Sequence, residues 1–393
     1  MVFGSTLLLT LPFFNCAQNV VATAALKTGE PQYFKDALLK KNIRFGTCLS
    51  VADIQNRDPR PPGFMQSLSQ YFNYYSMSVS FSMVERSRGN FDFTVPDAIC
   101  DFAKANNAKV KGHSLILVGA IPDWLKNGNF SSDELSAILK THIQTIVTHF
   151  KDKYPDVVTD WQVVNEAVCN GGANLDATAC PQGIKNVVWT NIHKPGSNDP
   201  RDYISLAFEW AHEANPNAKL YLNEDGNEWD VHPKKQRIYD LVSYLVKNHV
   251  PINGVGMEGH VRTYFKDKIT LNGLVQTFNS YADLGLESQI TETDVLLSTG
   301  AEPNTSPTRP IAINSPGLND FKTQADLYSM LLEACIKAKN CTAFTLGASY
   351  DPASWTQNYW KGREFYSQLL DNQVKPKIAY QSMLETVRKY DKK

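Results

Sequence analysis

The chain has 393 residues, 42% of them hydrophobic, enough for a large core and too much for one small domain. A formal net charge of -1 argues against a nucleic-acid partner, whose phosphates need a basic surface. No apolar run approaches the roughly 18 residues of a membrane span, so no membrane association is expected, and a monomer is.

The N-terminal stretch STLLLTLPFFNC, residues 5–16, is apolar and is followed by small residues at Ala17 and Ala22–Ala25. Residues 1–25 read as a secretory signal, despite lacking a basic start, and 26–393 as one domain. Strand-like runs then fall at 43–50, 74–81, 108–117, 157–165, 219–223, 252–260, 287–294 and 342–349. Amphipathic helix-like runs fall at 133–149, 203–214, 234–248, 270–284, 322–337 and 377–390. Eight strands, mostly followed by helices, predict an α/β fold of the (β/α)8 barrel type, which holds its chemistry at the C-terminal strand ends.

Seven cysteines are present, and removing a signal that contains Cys16 leaves six. Cys169 and Cys180, and Cys335 and Cys341, are close enough to clip local loops, leaving Cys48 with Cys100. Sequons at Asn129, Asn304 and Asn340 agree with an extracellular, glycosylated protein. Neither the cysteines nor the eight histidines show metal-ligand spacing, and no cofactor motif occurs, so no metal or cofactor is expected.

Three of the strand-like runs end on acids. The run TDWQVVNEAV carries Asn165 and Glu166, the sixth run ends Glu258-Gly-His260, and the seventh carries Glu292 and Asp294. A buried carboxylate is costly, and the bland reading of any one is a salt bridge or helix cap. Strands four and seven face each other across an eight-stranded barrel, so two such acids point into one cleft. Glycoside hydrolysis needs that pair: one carboxyl protonates the leaving oxygen, while the other attacks the anomeric carbon or activates water.

The motifs W-x-V-V-N-E at 161–166 and I-T-E-x-D at 290–294 resemble the signatures of glycoside hydrolase family 10, the endo-β-1,4-xylanase family. The resemblance covers most of the chain: Glu85 to Phe93, Gly112-His-Ser-Leu115, Pro122-Asp-Trp124, Tyr221-Leu-Asn-Glu224, Gly254 to His260, Cys335 with Cys341, Asp351 to Trp355 and Pro376 to Tyr380. It implies a retaining two-Glu hydrolase with Glu166 as acid/base and Glu292 as nucleophile. Asn165 would hold the sugar 2-hydroxyl and His260 would hydrogen-bond the nucleophile. Asn223, Glu258 and Trp355 would complete the substrate-binding set. Trp229, Trp355 and Trp360 either stack sugars in outer subsites or pack in the interior. Asp294 reads as a buried partner rather than a catalyst.

The chain departs from the family's pattern at one place. Ser76, Met77 and Ser80 stand where the resemblance expects Glu, Asn and Lys; Leu117-Val-Gly-Ala120 replaces Trp-His-Ser-Gln; Glu258 replaces Gln; and Leu346 replaces Trp. Each lost bond to a substrate hydroxyl costs on the order of 1–3 kcal/mol. Leu346 would open room for a hexose hydroxymethyl group, and Met77, Leu117 and Val118 would make the site apolar. The acid at 258 either raises the pKa of Glu292 by like-charge repulsion or pairs with an arginine. The expected activity is therefore tomatinase-like, freeing an oligosaccharide from a steroidal glycoalkaloid or saponin. The alternatives are an endo-1,4-β-xylanase and an inactive carbohydrate-binding homologue.

Overall fold

The computed structural model describes residues 29–55, 60–61, 63–171, 175–302, 309–360 and 363–391. The signal-like segment and the sequon at Asn304 lie outside these residues. Eight parallel strands form the barrel: β1 Arg44–Cys48, β2 Tyr74–Ser78, β3 Lys109–Leu117, β4 Val158–Asn165, β5 Lys219–Glu224, β6 Gly254–Met257, β7 Glu287–Leu296 and β8 Cys341–Leu346. They hydrogen-bond in chain order, and β8 pairs with both β7 and β1, which closes the ring. The expected (β/α)8 architecture is the one observed.

Outward-facing strand residues such as Phe45, Trp161 and Phe344 are buried under the surrounding helices. Each fully buried side chain of this size contributes on the order of 1.5–3 kcal/mol. Helix Ser132–Lys153 illustrates how local sequence sets these elements. Ser131 caps it, its hydroxyl accepting from the Glu134 N–H while the Glu134 carboxylate accepts from the Ser131 N–H. Leu135, Leu139, Ile143 and Ile146 then bury one face. Helices Glu30–Leu39, Phe64–Tyr71 and Thr94–Ala105 complete the shell and had no counterpart among the expected helices.

The base of the barrel interior is polar and tightly satisfied. Asp160 on β4 accepts from Arg44 at 3.0 Å and from the Tyr74 hydroxyl at 2.5 Å, and Tyr221 donates to Glu287 at 2.6 Å. The buried Lys111 donates to the Thr291 carbonyl at 2.7 Å.

Two strand irregularities aim side chains at the mouth. The register of β4 against β5 slips between Gln162 and Val164, so Gln162 and Asn165 face the same interior although they differ by three residues. The register of β7 against β8 slips between Ile290 and Thr293, where Thr291 and Glu292 both turn inward.

Cys169–Cys180 and Cys335–Cys341 are disulfides, as expected. Cys48 and Cys100 are not paired with each other; among the described residues both are free thiols. Cys48 ends β1 at the cleft, whereas Cys100 lies on helix Thr94–Ala105 against the Met77 sulfur at 3.6 Å. The barrel wall separates the two. Asn129 is exposed, but the Asn340 side-chain nitrogen is committed to the Leu286 carbonyl and the Ser288 hydroxyl, so this sequon offers no free amide for a glycan.

Candidate active site

Glu166 follows directly on β4 with φ 56°, a left-handed conformation that is uncommon and strained for a glutamate. Its N–H donates to the Asn223 carbonyl at 3.0 Å, which holds the turn. The side chain is 37% exposed and faces Lys185 at 3.8 Å. Lys185 follows just beyond the Cys169–Cys180 loop, and its N–H donates to the Ala167 carbonyl.

Glu292 lies across the mouth on β7, and Asn223 connects the two sides. The Asn223 amide nitrogen lies 2.6 Å from Asn165 Oδ1, 3.0 Å from Glu292 Oε1 and 3.4 Å from Glu258 Oε1, while its oxygen accepts from Thr291 at 2.7 Å. The Asn165 amide nitrogen has no hydrogen-bond partner among the described residues. Burial alone would push the Glu292 carboxyl up. His113, His260, Lys111 and the Asn223 hydrogen bond outweigh it and hold Glu292 below the usual carboxylate value. An ionised, oriented carboxylate of this kind is a competent nucleophile.

His260 stands beyond the end of β6, in the short strand His260–Arg262 that pairs with β7. Its Nδ1 lies 3.2 Å from Asp294, and its Nε2 lies 3.4 Å from Glu258 and 3.8 Å from Glu292. The expected hydrogen bond from His260 to Glu292 is not formed, because 3.8 Å is too long; the interaction is electrostatic. Burial would lower the imidazole, but Asp294 and then Glu292 and Glu228 raise it to about 10. Asp294 also accepts from the Trp355 indole at 2.7 Å. It is the buried partner it was expected to be, locking both rings.

Glu258 is 2% exposed. Glu292 ends below the usual carboxylate value despite this neighbouring acid, the upward shift falls on Glu258 itself, and the imidazole of His260 at 3.4 Å, rather than an arginine, faces it. Burial first, then Glu292, Glu166 and Asp225, push the Glu258 carboxyl well up, against a downward pull from Lys234.

A cavity of about 400 Å³ opens on the β1–β2–β8 side, lined by Cys48, Ser78, Met83, Gly347, Ala348 and Trp355 among others. Two expected cleft residues are not there. Met77 is fully buried on the outer face, and Leu346 is fully buried in the wall; the open position is its neighbour Gly347. A Cβ at Gly347 would meet the Glu292 carbonyl at 2.6 Å. Val118 is buried as well, so the apolar lining comes instead from Met83, Val95, Ile99 and Pro352. Trp355 borders this cavity, Trp360 is packed on Leu296 and Phe365, and Trp229 packs edge-on against Phe265 at 4.3 Å.

Several site residues escaped the sequence reading. His113 sits 3.8 Å from Glu292 and 2.5 Å from Gln162 Oε1. Lys111, Thr291 and Asp225 also face the centre, and Asp225 is held by Lys234, which bridges to the buried Glu224 at 3.0 Å. His113 and Thr291 stood inside recognisable motifs; Lys111 and Asp225 carried no signal, because charged residues inside a barrel look like surface residues in a sequence.

The profile of glycosyl hydrolase family 10 matches residues 34–386. Endo-1,4-beta-xylanase 2 of Aureobasidium pullulans is 30% identical over 88% of this chain and 87% of its own length. Endo-1,4-beta-xylanase C of Paenibacillus barcinonensis is 28% identical over 96% of this chain, which spans only 34% of that enzyme. The solved intracellular xylanase of Thermoanaerobacterium saccharolyticum, a mutant in complex with xylotriose, is 28% identical with a TM-score of 0.71, covering 89% of this chain and 97% of that one. With the barrel closed, two glutamates facing one mouth and a family match over nearly all of the described residues, this chain belongs to glycosyl hydrolase family 10.

Proposed function

We propose that the chain is a retaining β-glycoside hydrolase acting on β-1,4-linked xylan-type backbones, with Glu292 as nucleophile and Glu166 as acid/base. The observation that carries this reading is the unequal pair itself. Glu292 is enclosed by His113, His260 and Lys111, which favour its ionised form, while Glu166 stands open to a leaving group. Ionised nucleophile and accessible proton donor are the two roles that retaining hydrolysis requires. Asn165 binds the 2-hydroxyl of the reacting sugar, with Asn223 and Trp355 beside it. Relatives named as xylanases over most of the chain support the substrate class.

A second reading has its own support. The cavity beside Gly347, bordered by Trp355 and walled by Met83, Val95, Ile99 and Pro352, would suit an apolar aglycone, as in tomatinase-like release of an oligosaccharide from a glycoalkaloid. Two disulfides and the exposed Asn129 support secretion.

The test is a panel of xylan, β-glucans, aryl β-xylosides and β-galactosides, and α-tomatine, with products read by mass spectrometry and Glu292→Ala as control. A ladder of xylo-oligosaccharides supports the first reading. An intact tetrasaccharide from tomatine without xylan products supports the second. Binding without turnover by the wild type would leave only a carbohydrate-binding protein.

A further inference from the structure

Glu258 is enclosed by more acid than base. On β5 it faces Asn223, with Glu224 and then Asp225 and Glu228 following; on β7, Glu292; beyond β4, Glu166; on helix Pro233–Lys247, Lys234; and on its own segment, His260. Oxygens of Glu166, Asp225 and Glu258 all lie within 4.8 Å of one another. The nearby cations are already engaged: Lys234 bridges Glu224 and Asp225, Lys185 faces Glu166, and His260 Nδ1 faces Asp294. The approaches to Glu258 itself are loose, 3.4 Å from Asn223 and 3.4 Å from His260. A carboxylate sealed from water needs several short donors to stay ionised, and among the described residues this one has none.

We propose that Glu258 is a positioning residue that works as an uncharged carboxylic acid, holding a proton so that, of the two glutamates facing His260 Nε2, only Glu292 carries negative charge. This rests on the glycosidase reading for its consequence, though not for its observation. The carbonyl oxygen accepts weakly from Asn223, and the retained proton prevents Glu258 from competing with Glu292 for His260. The strong upward push on this carboxyl from burial and from Glu292, Glu166 and Asp225 agrees. A neutral acid in an acidic pocket is a known way to keep a hydrogen-bonding carboxyl at neutral pH.

The decisive measurement is an infrared difference spectrum at neutral pH between the wild-type protein and Glu258→Gln. The expected result is loss of one protonated-carboxyl carbonyl band, with the His260 imidazole titration unmoved by NMR. Loss of a carboxylate band, with the His260 pKa falling in the variant, would overturn the proposal. Glu258→Met serves for both readouts if Glu258→Gln does not fold. Turnover gives an independent arm: Glu258→Ala should lose activity at least tenfold and Glu258→Gln should recover most of it. Equal loss in both would contradict the neutral role. The spectra report on the proton whether or not any glycoside is hydrolysed, so an inactive wild type would count against the glycosidase reading alone.

Discussion

Asp294 controls the charge of the site without needing to touch substrate. It accepts from Trp355 and faces His260 Nδ1, and it is the main force raising His260 to about 10 against the opposing effect of burial. The charged His260 contributes stability that is fully present below the ordinary histidine value of about 6.5 and is lost as pH rises through about 10. Asp294→Asn should lower the His260 pKa by more than about one unit, each unit being worth about 1.4 kcal/mol, in an NMR titration. The same change should shift the pH at which stability is lost downward. Gly256 is a second control point. A Cβ there would lie 2.0 Å from Asn223 Oδ1 and 2.8 Å from Thr291 Cγ2. Gly256→Ala should cost about 1–3 kcal/mol of stability through overpacking. Because the displaced group is the amide that holds Glu292, turnover should fall at least tenfold, and a variant with unchanged kcat would show that Asn223 does not position the nucleophile.

At the scale of elements, the segment after β4 is clipped by a disulfide close to Glu166, the proposed acid/base. Cys169–Cys180 closes a short loop, and the bridge Val168–Ile184 carries Lys185 back to Glu166. Cys169→Ser should cost about 3 kcal/mol by the loop-entropy argument, and should weaken turnover as Lys185 loses its place. Denaturant melts and steady-state rates of the variant check both halves. The strands were legible because buried parallel strands read as short apolar runs, and most began within a residue of the expected position. Their ends were less legible. The sixth run continues in sequence to His260, but β6 stops at Met257, and Glu258 and Gly259 form a break before His260–Arg262. The slips in β4 and β7 left no mark either, since a bulge is set by pairing with the neighbouring strand. They decide that Asn165 and Thr291 face the cleft, which strict alternation could not tell.

At the scale of the molecule, the barrel separates stability from chemistry. Its base is knitted by Arg44, Tyr74 and Asp160, and its mouth carries the acids. The motifs around Glu166 and Glu292 were readable because each needs particular residues at the end of a strand. The substrate cradle was read less well. Met77 and Leu346 occupy sequence positions next to cleft residues, yet they pack outward or into the wall, and Gly347 opens the cavity instead. Pairing Cys48 with Cys100 failed for the same reason: sequence counts cysteines but does not show the wall between them. What unites these scales is the claim that Glu292 is an ionised nucleophile opposite an accessible proton donor. The most direct test is to incubate the protein with a slow-turnover 2-deoxy-2-fluoro aryl β-glycoside of the best substrate class and to map the modified peptide by mass spectrometry. One glycosyl group, on Glu292, is expected. An adduct on another residue, or steady hydrolysis with inversion and no adduct, would contradict it.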